Sequence, residues 1–292
     1  MSSLKEIKSR IVSVKSTRKI TSAMKMVASA KLRRAQSRIE NFLPYQNKLM
    51  DIQRSFLSAE TDFTSPLAEK RNVRAVAIVV LSSNSSFCGA FNSNVGHLFR
   101  KTLEQYAHLS PDNIYIYALG KKIEDTLKKE AFTLQGSYIE LIDKTVFDDA
   151  KKLADELVDL FLSKKVDRVV LLYNHFKSAS VQVLTEEQFL PIVLETGTQP
   201  EKHTGAQVDY IVEPDKKTIL SSLIPKSLRS KIYSVILDSA AAEQAARMVA
   251  MQIATDNADD ILDELTIQYN KQRQQSITGE LLDIIGGAEA LK

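Results

Sequence analysis

The chain has 292 residues, of which 44% are hydrophobic and 26% charged, and its net charge is only +3. This length allows one large domain or two, and the hydrophobic content is sufficient for a packed core. The single cysteine, Cys88, excludes an intramolecular disulfide and a zinc site built from cysteines. Charges interrupt the first 20 residues, so we expect no secretory signal, and the longest apolar run, Ala75–Leu81, is too short to span a bilayer.

Charge is distributed unevenly between the two ends of the chain. Residues 1–58 carry thirteen bases against three acids, a net +10, whereas residues 243–292 carry four bases against nine acids, a net −5. The two ends are therefore complementary, and the first has basic charge left for an acidic partner. It has no aromatic residue before Phe42 on which a nucleobase would stack, so we expect no nucleic acid.

The N-terminal region, residues 1–60, is predicted to form one long helix. It contains no Gly and a single Pro, Pro44, which we expect to kink the helix rather than divide it. Apolar residues recur at three- and four-residue steps, as in a helix that packs against another helix. The predicted stripe consists of Leu4, Ile7, Ile11, Val14, Ile20, Met24 and Val27.

Residues 73–212, which follow a linker at 61–72, are typical of an α/β domain. Short Val-rich runs alternate with helical stretches, and this alternation predicts a mostly parallel sheet. We predict strands at Ala75–Leu81, Ile114–Leu119, Val166–Tyr173, Val181–Leu184, Phe189–Val193 and Val208–Val212. We predict helices at Val95–Ala107, Lys121–Glu130 and 148–164, the last with Asp148 as its N-cap.

The C-terminal region, residues 215–292, is predicted to be a second long helix. It has no Gly or Pro from Lys226 to Thr278, a length of about 80 Å if helical. Its predicted apolar stripe is Leu228, Ile232, Val235, Ala242, Ala246, Val249, Ile253, Ile261, Leu265 and Tyr269.

A stripe of that length needs an equally long partner, and the N-terminal helix is the stretch able to supply one. Because the chain leaves along one helix and returns along the other, the two are antiparallel. The predicted fold class is therefore α/β, with a long antiparallel two-helix coiled coil formed by the N- and C-terminal helices and an inserted Rossmann-like α/β domain.

The best candidate for an enzymatic site is the loop Ser82–Asn92, which lies between a strand and a helix. Such a loop can hold a phosphate at a helix N-terminus, but this one lacks the Lys of a P-loop and the spacing of a dinucleotide fingerprint. Cys88 is more often a small buried residue than a nucleophile in such a position. The four histidines lack metal-ligand spacing. We therefore predict no catalytic residue, no cofactor and no metal.

Two segments of the sequence resemble a known protein family, which composition alone does not identify. The first is residues 7–36, notably KITSAMKMVASAKLRRAQ, and the second begins at Glu243 with EQAARMVAMQIATDNADDILDELTIQYNKQRQQSITGELLDIIGGAEAL. Both resemble the terminal helices of the γ subunit of F-type ATP synthases of bacterial type. Where that family's first loop reads close to DRGLCGGLN, this chain has Asn84-Ser85-Ser86 and Ala90-Phe91.

The resemblance implies a central-stalk rotor that couples proton flow through a membrane c-ring to ATP synthesis at β subunits. The coiled coil is then surrounded by α and β subunits, and the α/β domain meets ε and the c-ring. It also implies peripheral attachment at the cytoplasmic face of a bacterial inner membrane. The positions that match the family's coupling contacts are Met24, Lys25, Arg273, Gln274, Thr278 and Glu280.

Antiparallel pairing is expected to bring the Met24 stretch and the stretch around Arg273 together. Three other functions are considered: a structural tether or scaffold with a long helical hairpin, an enzyme that uses the Ser82–Asn92 loop, and a nucleic-acid binder. The tether predicts no effect on ATP hydrolysis, the enzyme predicts a ligand at the loop, and the nucleic-acid binder predicts salt-dependent binding through the N-terminal helix.

Overall fold

A long helix, α1, opens the chain and extends over Leu4–Ala59. The computed structural model describes residues 4–59, 65–192, 212–213 and 215–290. Pro44 lies inside α1, and the helix is not divided there. Proline lacks the N–H that would bond the preceding turn, so the continuity of α1 depends on packing on either side of Pro44.

The chain divides into two compact units. The first, called the helix unit, combines Met1–Ala30 with Arg247–Lys292, and the second, called the domain unit, is Lys31–Ala246.

A five-stranded sheet forms the centre of the domain unit. Its strands are β1 Val76–Leu81, β2 Ile114–Leu119, β3 Leu134–Ser137, β4 Arg168–Phe176 and β5 Gln182–Leu190. Their spatial order is β3-β2-β1-β4-β5. The strands β1 to β4 are parallel to one another, and β5 runs antiparallel to β4. The predicted mostly parallel sheet is confirmed.

Four helices lie between the strands. They are α2 Phe91–Gln105, α3 Lys121–Lys129, α4 Ile139–Asp143 and α5 Phe147–Leu162. Helix α2 follows β1, α3 follows β2, and α4 and α5 both follow β3.

The last helix, α6, covers Lys216–Ala290 and extends at both ends beyond Lys226–Thr278, the stretch without Gly or Pro. Asp215 precedes it and accepts a hydrogen bond from the Thr218 N–H at 2.8 Å. Hydrogen bonds from Thr218 hold the pKa of Asp215 below its usual value. Pro225 lies within the helix, where a proline ordinarily costs about 3 kcal/mol. The buried side chains of Leu220 and Ile224, on the same two turns, offset that cost.

Alternation along the strands divides the core into two layers. Ala77, Val79 and Leu81 of β1 face α5 and α6, in a cluster that includes Leu157 and Ile232. The intervening β1 residues face α2 and α3 on the other side of the sheet, in a cluster of Val76, Ile78, Val80, Val95, Phe99, Ile123 and Leu127. The sheet is thus covered on both faces, as its near-continuous apolar strands require.

The predicted strands Val181–Leu184 and Phe189–Val193 were wrong as two elements. They belong to the single strand β5, in which residues 185–188 carry polar side chains because a strand at a sheet edge has a solvated face. Residues 193–211 lie outside the described part of the chain, and with them most of the predicted strand Val208–Val212.

Three further differences concern the start of one helix and two short elements. Asp148 is not an N-cap: α5 begins one residue earlier, after Val146, and Asp148 lies in its first turn. The short elements β3 and α4 were not predicted, because neither shows a clear period in so few residues. Among the described helices, none is long and apolar enough to cross a membrane.

Candidate interaction surface

Two polar contacts define how α1 and α6 pair within the helix unit. The hydroxyl oxygens of Thr21 and Thr255 are hydrogen-bonded at 2.8 Å. Arg18 Nε lies 2.9 Å from the carboxylate of Asp259. Arg18 lies three residues before Thr21 on α1, whereas Asp259 lies four residues after Thr255 on α6. The two segments are therefore antiparallel.

The buried seam of this pair follows seven-residue spacing on α1 and steps of seven, four and three residues on α6. Thr21 and Ala28 are buried on α1, and Ala28 is only 1% exposed. The buried positions on α6 are Met251 and Ala258, close to the level of Thr21 and Ala28, and Leu262 and Leu265, level with Val14 and Ile11 of α1. Small and polar side chains therefore occupy much of the seam, and they allow the helix backbones to approach closely.

The predicted apolar stripe was wrong at four positions. Ile20 is 60% exposed and Val27 is 57% exposed, and Ile253 and Ile261 on α6 are also exposed. The prediction followed the largest apolar side chains. The seam instead passes through Thr21 and Ala28, which are seven residues apart, so the neighbouring Ile20 and Val27 lie off it.

These outward residues form what we call the outer apolar surface. On α1, at about 100° per residue, Val12 and Met26 lie on the side of the helix opposite Thr21 and Ala28, whereas Ile20 and Val27 lie about 100° from them, on one flank of the seam. On α6 the outer apolar surface comprises the exposed residues Ile253 and Ile267, which are directed away from the seam, and Leu282 and Ile285, which lie beyond its last buried residue, Leu265. Extended exposed apolar areas of this kind mark protein–protein contacts.

Positive charge borders this surface on α1. The exposed side chains of Lys8, Lys15 and Lys19 lie between and beside its apolar residues. Residues 4–30 hold seven bases against one acid, Glu6. A partner that covers the α1 side must therefore supply apolar contacts and acidic groups together.

The predicted coupling residues fall at two separate levels of the helix unit. The pairing of Thr21 with Thr255 places Met24 level with residue 252. Arg273 is 21 residues further along α6, a distance of about 30 Å at 1.5 Å per residue. The expectation that these stretches lie together was wrong, because antiparallel pairing matches Arg273 with the first residues of α1.

The side chains of these six residues differ in burial. Met24 and Lys25 are half-buried beside the seam, and the four residues on α6 are exposed or nearly so. The α6 residues are Arg273, Gln274, Thr278 and Glu280.

Sequence reasoning missed Val12, Met26 and Ile267 as surface residues. The signal was present, since each is a large apolar residue outside the three- and four-residue spacing of the seam.

The Ser82–Asn92 loop in the domain unit is held together by its own side chains. Asn92 Oδ1 accepts a hydrogen bond from the Ser83 N–H at 3.0 Å, and Asn92 Nδ2 lies 3.2 Å from Cys88 Sγ. Cys88 and Phe91 are buried against Ala242 of α6, whose side chain is 0% exposed. The crevice beyond the carboxyl end of β1, where α/β sheets commonly bind ligands, is here filled by protein.

The nearby N-terminus of α3 is likewise occupied by protein groups. The Lys121 N–H donates to Asn84 Oδ1 at 2.9 Å, and the Ile123 N–H donates to Ser82 Oγ at 3.0 Å. These amide groups are already hydrogen-bonded, so the geometry does not favour the enzyme alternative. In the described part of the chain, no three His, Cys, Asp or Glu side chains are grouped to hold a metal ion.

Fold and surface together define a protein that acts through contacts along a pair of helices attached to an α/β domain. The family model described as ATP synthase matches residues 3–291. The ATP synthase gamma chain of Bacteroides fragilis is 56% identical over 290 residues, covering 99% of this chain and 100% of that protein. That of Azobacteroides pseudotrichonymphae is 54% identical over 294 residues, covering 100% of both. The chain belongs to the ATP synthase γ-chain family.

Solved structures agree on the fold. A chain of the Euglena gracilis mitochondrial ATP synthase, in a structure of its OSCP, F1 and c-ring, aligns with a TM-score of 0.67 at 18% identity, covering 99% of this chain and 94% of that one. A chain from the central stalk and c-ring of the Tetrahymena thermophila mitochondrial ATP synthase aligns with a TM-score of 0.60 at 23% identity, covering 80% and 99%. The predicted fold class is confirmed.

Proposed function

We propose that the chain is the central-stalk rotor subunit of an F-type ATP synthase. It rotates within a ring of α and β subunits and couples proton flow through the membrane c-ring to ATP synthesis at the β subunits. The observation that carries this proposal is the outer apolar surface, which lies outside the seam on both α1 and α6. A surface on both sides of a helix pair fits a partner that surrounds it.

The chain itself supplies no catalytic group in this proposal. The ATP chemistry takes place on the β subunits, and the rotor changes nucleotide affinity by making different contacts with different conformations of each site. Family membership and the protein-filled crevice at Cys88 and Ala242 support this division of labour.

The α/β domain is the part that we propose meets the ε subunit and the c-ring. The related chains come from a central stalk with its c-ring and from a rotor of mitochondrial ATP synthases. Attachment to the membrane is then peripheral and through the complex, at the cytoplasmic face of a bacterial inner membrane.

Coupling contacts are proposed at two levels of the shaft rather than one. Met24 and Lys25 form the first level, and the exposed α6 residues Arg273, Gln274, Thr278 and Glu280 form the second. Because about 30 Å separates the levels, each contacts a different part of the surrounding subunits. Single substitutions at the two levels should therefore have independent effects on coupling.

The proposal is tested by reconstitution with the cognate α and β subunits. Replacing Ile20 and Val27 with Ser should weaken co-assembly, because it removes apolar contacts to the ring while leaving the seam intact. Val183→Ser, at an exposed apolar position on β5, is the matched control and should assemble like the wild type.

ATP hydrolysis separates the rotor from the tether. A rotor changes the rate at which the α and β subunits hydrolyse ATP, whereas a tether leaves the rate as it is without the chain. Equal rates with and without the wild-type chain would contradict the rotor and favour the tether.

A further inference from the structure

The end of the β4–β5 hairpin extends beyond the part of β4 that is supported by β1. The β1–β4 pairing ends at Val80 and Leu172. From there Tyr173–Phe176 continue, paired with Gln182–Thr185 of β5. These eight residues are called the hairpin end, and the helix that holds them is α6.

Asp238 of α6 makes the first attachment. One oxygen of its carboxylate accepts a hydrogen bond from the Phe176 N–H at 3.0 Å, and the other lies 2.6 Å from His175 Nδ1. The Asp238 side chain is only 19% exposed. One carboxylate on α6 thus engages the backbone and the side chain of successive residues of β4.

Lys231 of α6 makes the second attachment, to Glu187 of β5, which lies two residues outside the hairpin end and contacts it through Tyr173. Lys231 Nζ lies 2.6 Å from Glu187 Oε1, and the other Glu187 oxygen accepts a hydrogen bond from the Tyr173 hydroxyl at 3.0 Å. Burial, together with the charge of Glu187, raises the pKa of Tyr173, which keeps the phenol protonated and able to donate. Lys231 and Asp238 are seven residues apart, about 10 Å along the same side of the helix.

Between these attachments α6 also packs against the sheet through apolar side chains. Ile232 and Val235 lie in the core beneath the sheet, and Phe176 contacts the cluster around Ala242. Apolar burial is non-directional, so it opposes separation of the helix from the sheet more than rotation of the helix about its axis. Hydrogen bonds and close ion pairs are directional, and they oppose rotation.

We infer that Asp238 and Lys231 are positioning residues that transmit torque between the α/β domain and the C-terminal helix. They act by fixing the rotation of α6 against the hairpin end. This inference rests on the rotor function proposed above, and it assigns the mechanical link between α6 and the β4–β5 hairpin to the His175–Asp238 and Glu187–Lys231 contacts.

Hydrogen exchange in the assembled complex tests the attachment itself. Partly exposed ion pairs contribute modestly, so removing both is expected to raise the exchange rates of hairpin-end amides by about two- to fivefold. The test variant is Asp238→Ala with Lys231→Met. The control is Arg100→Met, which removes the Arg100–Glu130 ion pair between α2 and the end of α3.

Proton pumping in proteoliposomes tests the mechanical role. The double variant should hydrolyse ATP at the wild-type rate without a gradient, yet sustain a smaller proton gradient, because the compliant link yields only under load. Asp238→Asn, a milder change that keeps one acceptor oxygen, should sustain a gradient between those of the wild type and the double variant. Faster exchange with an undiminished gradient would show a purely structural contact and overturn the inference, as would unchanged exchange.

A charge exchange gives an independent check. Lys231→Glu places two carboxylates together at Glu187 and should reduce the sustained gradient, and adding Glu187→Lys should restore it. A double exchange as weak as the single variant would also overturn the inference. A wild-type complex that pumps no protons would instead contradict the proposed function, so the two failures are distinguishable.

Discussion

Replacing Gly120 with Ala should destabilise the domain unit severely. A Cβ on Gly120 would lie 2.3 Å from the carbonyl oxygen of Ser82 and 2.7 Å from its Oγ. The backbone there has φ 108° and ψ 141°, a conformation that side chains rarely adopt. Such a conformation costs about 1–3 kcal/mol for a non-glycine residue, and overpacking adds about 1–3 kcal/mol. We expect a loss of at least about 2 kcal/mol.

That loss should appear as a shift in thermal and urea unfolding of the purified chain. For a unit of this size, about 2 kcal/mol lowers the Tm by roughly 4–8 °C. Gly96→Ala is the matched control, because Gly96 lies within α2 and nothing stands within 4 Å of an added Cβ. It should raise stability by about 0.5–1 kcal/mol. A Gly120→Ala protein that melts with the Gly96→Ala protein would refute this reasoning.

Three further predictions concern the helix pair and one carboxyl group. Ala28→Met should destabilise the isolated chain by about 1–3 kcal/mol in urea unfolding, because Ala28 is buried in the seam, whereas Ile20→Ser should change it by less than about 0.5 kcal/mol. Met24→Lys should reduce ATP-driven proton pumping more than assembly, by adding a cation to a moving contact; pumping equal to that of Met24→Leu would contradict this. Lys128 and then the Ser137 hydroxyl hold the pKa of Glu124 below its usual value. The stability that the ionised Glu124 adds to the fold is present above about pH 4.5 and is lost as pH falls through the depressed pKa. In Glu124→Gln, the urea unfolding midpoint should therefore decline less between about pH 5 and pH 3 than in the wild type. An unchanged decline would mean that other carboxyl groups cause it.

Long-range features of the fold follow from long stretches of sequence. The absence of Gly and Pro from Lys226 to Thr278 predicted the C-terminal helix, and strand Ile114–Leu119 was predicted with its observed bounds. The helix continues through Pro225 because neighbouring side chains such as Ile224 are buried. Tertiary packing there overrides local propensity, and no local pattern reports it.

The interaction surface was harder to predict than the fold. Apolar periodicity alone does not distinguish a seam from a second apolar face, and Ile20 and Val27 competed with Thr21 and Ala28 for the same stripe. Only the pairing of the helices in the structure settles which set faces inward. The same pairing separates Met24 from Arg273, which the sequence resemblance had grouped together.

Rotation is the central claim, and observing it directly is its most decisive test. The chain is assembled with its α and β subunits, which are fixed to a surface, and a bead is attached to the α/β domain during ATP hydrolysis. The rotor account predicts that the bead turns in one direction, in steps of a third of a turn. A bead that stays stationary on an assembled, hydrolysing complex would contradict it.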